Sequence, residues 1–346
     1  MAATVARREP RRRLTWRPDA PRVGIHLAVA GGLMRAGRRA RQIGATALQI
    51  FADNPTAWRR RPEPPPDAAQ FVAYCRAEGI APVAVHASYL INLAGGAEPL
   101  ASQSVAGLAH ELQRAPAYGA SLVNVHIGSH RGEGPSAGIR RVATAVATVL
   151  GDAPSGVRLV LENSAGGGGM LGASLEELAA ILDACGAAGA AVDRLAFCLD
   201  TAHLWGAGYD LADPDGAVRV LDRFAELIGL DRLALIHLND SRSALGSRGD
   251  RHEHLGAGRI GPHGLGALMR DPRLPGVTTL VLETPGTDQG YDAVNLRRSW
   301  LLHRGATELS TLPAGAFGMR RRAAQRRGVE PADQREADDP AEAAEP

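Results

Sequence analysis

The sequence predicts an α/β fold: a single eight-stranded parallel barrel with disordered tails. Three observations carry that prediction. Eight short aliphatic or β-branched runs alternate with segments of helical periodicity, the signature of repeated βα units around a parallel sheet. The repeats fill about 290 residues, close to the size of a (β/α)8 barrel. Besides the second run, which leads into an Asn- and Arg-rich loop, each of the other seven carries a His, Asp or Glu near its C-terminal end, the end where such barrels collect their chemistry.

Taken in order, the expected strands are RVGIHLA (22–28), ending near His26, and ALQIFAD (47–53), which ends in an Asn- and Arg-rich loop. PVAVHAS (82–88) carries His86, LVNVHIG (122–128) carries His126, and RLVLEN (158–163) carries Glu162. LAFCLDTAH (195–203) reaches Asp200 and His203, LALIHLND (233–240) reaches His237, and TTLVLET (278–284) reaches Glu283. Helical patterns follow them; in SLEELAAILDACG (174–186), Ser174 and Glu177 have the spacing of a capping box. This is the layout of a TIM barrel over residues 21–311. Residues 1–20 read as a disordered Arg-rich arm, and 312–346 as a tail that is basic and then acidic.

Composition narrows the chemistry. The 346 residues are 45% hydrophobic with a formal charge of +2, enough apolar content for a large core and no overall basic excess. The chain contains no Lys, so a lysine Schiff base is excluded and any strand-cleaving reaction has to be hydrolytic. Cys75, Cys185 and Cys198 lack CxxC spacing and read as reduced core thiols of a cytoplasmic protein. No apolar run approaches the roughly 20 residues of a membrane span.

The densest chemistry lies between Leu233 and Gly261, where an apolar strand reaches His237 and a polar loop then presents Asp250 and His252. Each such group carries a desolvation cost unless it is paired. With His86, His126, Glu162, Asp200, His203 and Glu283 they make nine nitrogen and oxygen donors around one rim. That is too many for one tetrahedral ion and, with a bridging carboxylate, about right for three. A donor set without thiolate suits zinc, with manganese or iron as alternatives. Clustered divalent ions are a recurring device for phosphodiester hydrolysis.

On these motifs the chain resembles the endonuclease IV family of zinc-dependent apurinic/apyrimidinic endonucleases. The matching stretches are HASYLINLAG (86–95), NVHIGSH (124–130), LENSAGGGGMLG (161–172), CLDTAHLWGAGYD (198–210), HLNDSRSALGSRGDRHEHLGAGRIG (237–261) and LVLETPG (280–286). The resemblance implies three zinc ions, the first held by His86, His126 and Glu162. Glu162 would bridge to a second, held also by Asp200, His237 and Glu283, and His203, Asp250 and His252 would hold the third. It implies hydrolysis 5′ to an abasic nucleotide in double-stranded DNA, leaving a 3′-hydroxyl and a 5′-deoxyribose phosphate. Glu162 and Glu283 would be catalytic, 3′-end trimming a further activity, and the enzyme a monomer.

The resemblance also implies DNA contacts. Tyr89 falls where the family inserts a tyrosine into the helix gap, and Leu90 follows it. In the loop FADNPTAWRRRP, Asn54 and Trp58 match, whereas Thr56 stands where the family pattern has an intercalating Arg; Arg59, Arg60 and Arg61 lie beside it as candidate phosphate contacts. Ala28 departs from the family's AHxS pattern, with His26 retained behind the ligands. His254 reads as a loop residue, His110 as structural, and His303 as a cation at a helix C-terminus. His130 and the GGGG run at 166–169 lie near the rim. A competing reading is a metal-dependent sugar isomerase or epimerase on the same barrel, which has no evident use for a third metal set.

Overall fold

The computed structural model describes residues 20–312. The expected arm and tail otherwise lie outside the described residues. Eight strands form a closed parallel barrel: β1 (Arg22–Leu27), β2 (Ala47–Phe51), β3 (Val83–His86), β4 (Ala120–His126), β5 (Arg158–Glu162), β6 (Leu195–Asp200), β7 (Leu233–His237) and β10 (Thr279–Leu282). Two-residue strands β8 (Asp240–Ser241) and β9 (His252–Glu253) make an antiparallel ribbon inside the loop after β7. Nine α-helices are present among the described residues: α1 (Leu33–Ile43), α2 (Ala68–Ala77), α3 (Leu100–Arg114), α4 (Pro135–Asp152), α5 (Leu175–Ala187), α6 (Thr201–Ala207), α7 (Pro214–Leu227), α8 (Gly261–Met269) and α9 (Tyr291–His303).

Strand alternation divides the apolar residues into two cores. Outward-facing Ile25, Ile50, Val85, Val125, Leu161, Phe197 and Leu199 pack beneath the helices with Leu108, Leu178 and Phe224. Inward-facing Ala84, Leu122, Val160, Ala196, Cys198 and Val281 plug the barrel itself. Continuing the inward parity to the strand ends places His86, His126, Glu162, Asp200, His237 and Glu283 above that plug. The register brings them abreast, with His126 opposite Glu162 and Asp200 opposite His237.

Two sequence expectations need correction. The sixth strand stops at Asp200 and does not continue to His203, because the Asp200 carboxylate accepts hydrogen bonds from the amides of Ala202 and His203 and starts α6. At α5 half of the expected capping box forms: Ser174 Oγ accepts from the Glu177 amide. The Glu177 carboxylate turns instead to the amides of Gly172 and Ala173.

Candidate metal centre

At the mouth of the barrel the inward side chains form three adjoining groups. In the first, Nε2 of His86 and Nε2 of His126 each lie 3.5 Å from Glu162 Oε2. In the second, Nδ1 of His237 lies 3.2 Å from Glu162 Oε1, 3.2 Å from Glu283 Oε2 and 3.9 Å from Asp200 Oδ2. In the third, the Asp250 carboxylate is 3.2 Å from Nε2 of both His203 and His252, and His252 Nε2 is 3.4 Å from Asp200 Oδ2. Glu162 therefore stands between the first two groups and Asp200 between the second and third.

The imidazoles are aimed by their other nitrogens. His86 Nδ1 donates to the Ala87 carbonyl at 2.8 Å, His203 Nδ1 to the Asn163 carbonyl at 2.9 Å, and His252 Nδ1 to the Glu283 carbonyl at 3.1 Å. Each bond turns an Nε2 lone pair toward the carboxylates, the arrangement that orients metal-ligating histidines. Candidate ligand atoms lie within 4.8 Å of one another in His86/His126/Glu162, in Glu162/Asp200/His237/Glu283 and in Asp200/His203/His252. Among the described residues, every ion pair made by Glu162, Asp200, Asp250 and Glu283 is with an imidazole. Carboxylates crowded together without arginine, largely buried apart from the exposed Asp250, and facing aimed imidazole lone pairs, fit divalent cations.

The electrostatics follow from this crowding. Burial opposes the charged form throughout. His237 and His126 hold the Glu162 carboxyl well below its usual range, and His237 does the same to Glu283. Burial alone would depress His203 and His252, but the surrounding carboxylates, Asp200 foremost, outweigh it and push them up to about 10 and about 9. A cation bound among these groups would compete with the protons on His203 and His252.

The loops that deliver the outer donors are built by polar side chains. The Asp240 carboxylate accepts from the amides of Ser241, Gly258, Ile260 and Gly261, folding the long loop after β7 back so that β9 carries His252 over Asp200. Gly258 has to be glycine, since a Cβ there would meet Asp240 Oδ1 at 2.4 Å. Asn92 ties the loop after β3 to that after β4, its Oδ1 accepting from Ala94, Gly95 and Ser129 amides.

Sequence reasoning missed four supporting residues. Asn124 donates to Glu162 Oε2 at 2.5 Å and Asn239 to Asp200 Oδ2 at 2.7 Å. Asn163 accepts from the Asp200 amide at 2.6 Å. Gln49 lies 2.7 Å from Glu283 and 3.1 Å from His237. Strand parity is the signal that finds Asn124 and Gln49: Asn124 stands two residues before His126 and in register with His86, and Gln49 is in register with His26 and with inward-facing Ala84. The thiol of Cys198, read as a core residue, is fully buried, its Sγ within 4.8 Å of side-chain atoms of Glu162 and His237. Burial pushes its pKa up to about 12.

The family described as a xylose isomerase-like TIM barrel matches residues 38–301. A "probable endonuclease 4" of Chloroflexus aurantiacus is 38% identical over 288 residues, 83% of this chain and 99% of that protein. Its counterpart in Oleidesulfovibrio alaskensis is 46% identical over 285 residues, 81% of this chain and 94% of that protein. The crystal structure of endonuclease IV from Thermus thermophilus superposes with a TM-score of 0.70 at 40% identity, covering 83% of this chain and all of that one. The chain belongs to the endonuclease IV family. A D-tagatose 3-epimerase-like protein shares the barrel at a TM-score of 0.60 with 14% identity, which speaks to fold alone.

Around the rim, this endonuclease IV family member places the other singled-out residues as follows. Tyr89 is 56% exposed, its ring 5.5 Å from that of His86 and 6.0 Å from that of His126. Leu90 is half-buried beside it, and Asn54 and Arg59 are exposed. Asn54 Oδ1 accepts from both the amide and the hydroxyl of Thr56, closing a tight turn. Arg60 does not face outward: its side chain is 12% exposed and turned toward Glu111. Arg61 is exposed but leans on Asp53 at 3.6 Å. His26 sits behind Glu283 at 3.1 Å. His254 is buried against Asn295, His110 pairs with Asp53, and His303 reaches the Met269 carbonyl. His130 Nδ1 accepts from the Gly132 and Gly134 amides, and the 166–169 run contains a short 3-10 turn.

Proposed function

We propose that this chain is a zinc-dependent hydrolase that cleaves double-stranded DNA on the 5′ side of abasic nucleotides and also trims blocked 3′ ends. The products are a 3′-hydroxyl and a 5′-deoxyribose phosphate. The observation that carries the reading is the third donor group, His203 with Asp250 and His252, built against the other two through the shared carboxylate of Asp200. Three adjoining ions match a phosphodiester, whose attacking, non-bridging and leaving oxygens all need positive charge; a sugar isomerisation makes no use of the third.

In this reading His86, His126 and Glu162 hold one zinc, Glu162, Asp200, His237 and Glu283 a second, and His203, Asp250 and His252 a third. Bound zinc supplies Lewis-acid stabilisation of phosphate oxygens and a water acidic enough to ionise near neutral pH. The chain's own part is to fix that geometry: Glu162 and Glu283 would hold the ions against the reacting phosphate, and Asn124 and Asn239 keep the carboxylates Glu162 and Asp200 in place. Tyr89 and Leu90, beside the first donor group, enter the gap left by the missing base, where no stacking has to be broken. Asn54 and Arg59 meet the backbone from the β2–α2 loop. The working unit is a cytoplasmic monomer, its catalytic domain 21–311 between two accessory tails. No described helix is long and apolar enough to cross a membrane.

The test is cleavage of a duplex oligonucleotide with one tetrahydrofuran abasic analogue, with metal content measured on the same sample. The analogue cannot undergo elimination, so only hydrolysis scores. Cleavage to a 3′-hydroxyl with close to three zinc ions per chain is the expected result. Full metal without cleavage would reject the DNA reading and favour the sugar-enzyme one.

A further inference from the structure

We infer that Gln49 is a positioning residue for the second metal group, holding His237 and Glu283 to it from across β1. Gln49 comes from β2, is fully buried, and points inward between ligands delivered by β7 and β10. Its amide nitrogen lies 2.7 Å from Glu283 Oε1 and its amide oxygen 3.1 Å from His237 Nε2. Chemistry fixes that orientation. An ionised carboxylate only accepts, so the NH2 must face Glu283, which leaves the oxygen to accept from Nε2–H of His237. The proton then sits on Nε2, and the Nδ1 lone pair faces Glu162, Asp200 and Glu283.

One side chain thus sets the tautomer of one ligand and the carboxylate rotation of another. Glu283 Oε1 is engaged by Gln49 and by His26, whose Nδ1 lies 3.0 Å from the same amide nitrogen, so Oε2 is the oxygen left toward His237 Nδ1 and the ion. His237 differs here from His86, His203 and His252, whose orienting bonds go to backbone carbonyls. A side chain can be substituted without breaking a loop, so the role is testable. The inference rests on the metal-dependent reading above and is independent of the DNA substrate.

The experiment uses the full chain loaded with zinc and titrated with a competing chelator, counting ions released, for wild type and Gln49→Leu. Leucine roughly keeps the volume and removes both hydrogen bonds. Loss of an orienting partner of this kind weakens a metal site about 10–100-fold. The expected result is that one class of ion leaves Gln49→Leu at a 10–100-fold lower chelator concentration, while the others and the melting temperature of the zinc-free protein stay at wild-type values. Superposable release curves would overturn the inference, as would a variant whose zinc-free melting falls while its zinc affinities hold, the mark of mere packing. A wild type that takes up no zinc would overturn both this inference and the metal reading. Zinc uptake without abasic cleavage would strike the DNA reading alone.

Discussion

The barrel mouth and the underside of the β2–α2 loop each gather a cluster of charged residues, and their contrast separates a site from a scaffold. At the mouth, four carboxylates face imidazoles that converge on shared points, with no arginine paired to them among the described residues. Beneath the loop the charges balance within the cluster: Arg60 lies 3.9 Å from the buried Glu111, and Asp53 takes His110 at 3.3 Å and Arg61 at 3.6 Å. The first arrangement fits an outside cation, with protons on its imidazoles as the alternative source of positive charge. The second supplies its own, and clamps the loop to α3.

The largest expected effect breaks the mouth. Glu162→Gln removes the charge that stands between two donor groups while keeping the Asn124 side of the hydrogen bonding within reach. Abasic-site cleavage should fall on the order of 1,000-fold, about 4 kcal/mol of transition-state stabilisation, and zinc content should drop. Near-wild-type cleavage at full zinc loading would remove the bridging role. The same kind of change in the other cluster should behave differently. Arg60→Leu leaves Glu111 buried against an apolar side chain, which should cost about 3 kcal/mol of stability in urea unfolding while zinc content stays unchanged. Zinc loss in that variant would mean the two clusters are not separate.

How each region reads from sequence follows from the same contrast. The mouth is legible because parallel strands put their functional ends at one rim, so nine donors scattered from His86 to Glu283 share a destination in the sequence itself. The apolar runs fixed the eight strands, yet not where the sixth ends, because Asp200 is both the last strand residue and a helix cap. Gln49 and Asn124 went unread for a different reason: an amide on a strand carries no charge to announce it, and only inward parity marks it. The loop was illegible in its orientation. Three consecutive arginines look alike in sequence, but the fold buries Arg60, spreads Arg61 over Asp53 and leaves Arg59 exposed.

A smaller effect tests whether the loop clamp titrates. Burial, against the pull of Arg60, pushes the Glu111 carboxyl up to about 7. Between the ordinary glutamate value and that pH, the folded state holds a proton that the unfolded chain has released. Stability therefore falls as pH rises through this window. Glu111→Gln cannot titrate, so relative to wild type it should gain about 2 kcal/mol on going from pH 5 to pH 8. Unfolding of both proteins with chelator present keeps the metal ligands out of the comparison, and parallel pH profiles would show that Glu111 is ionised throughout.

The smallest expected effect sits where the two regions meet. The Tyr89 amide and the Ser88 hydroxyl both donate to the Pro55 carbonyl, so the exposed Tyr89 ring is held by the loop on one side and packs toward His86 and Phe51 on the other. Removing that ring should cost base stacking, about 1–3 kcal/mol, and no metal. Tyr89→Ala should bind abasic duplex roughly tenfold more weakly in a titration with uncleavable substrate, with zinc content intact. Because Arg60 anchors the loop that carries Pro55, Arg60→Leu should weaken the same binding, and the double variant should lose less than the two single losses combined. Additive losses would mean that the clamp serves stability alone and that Tyr89 is positioned from the barrel side by His86 and Phe51.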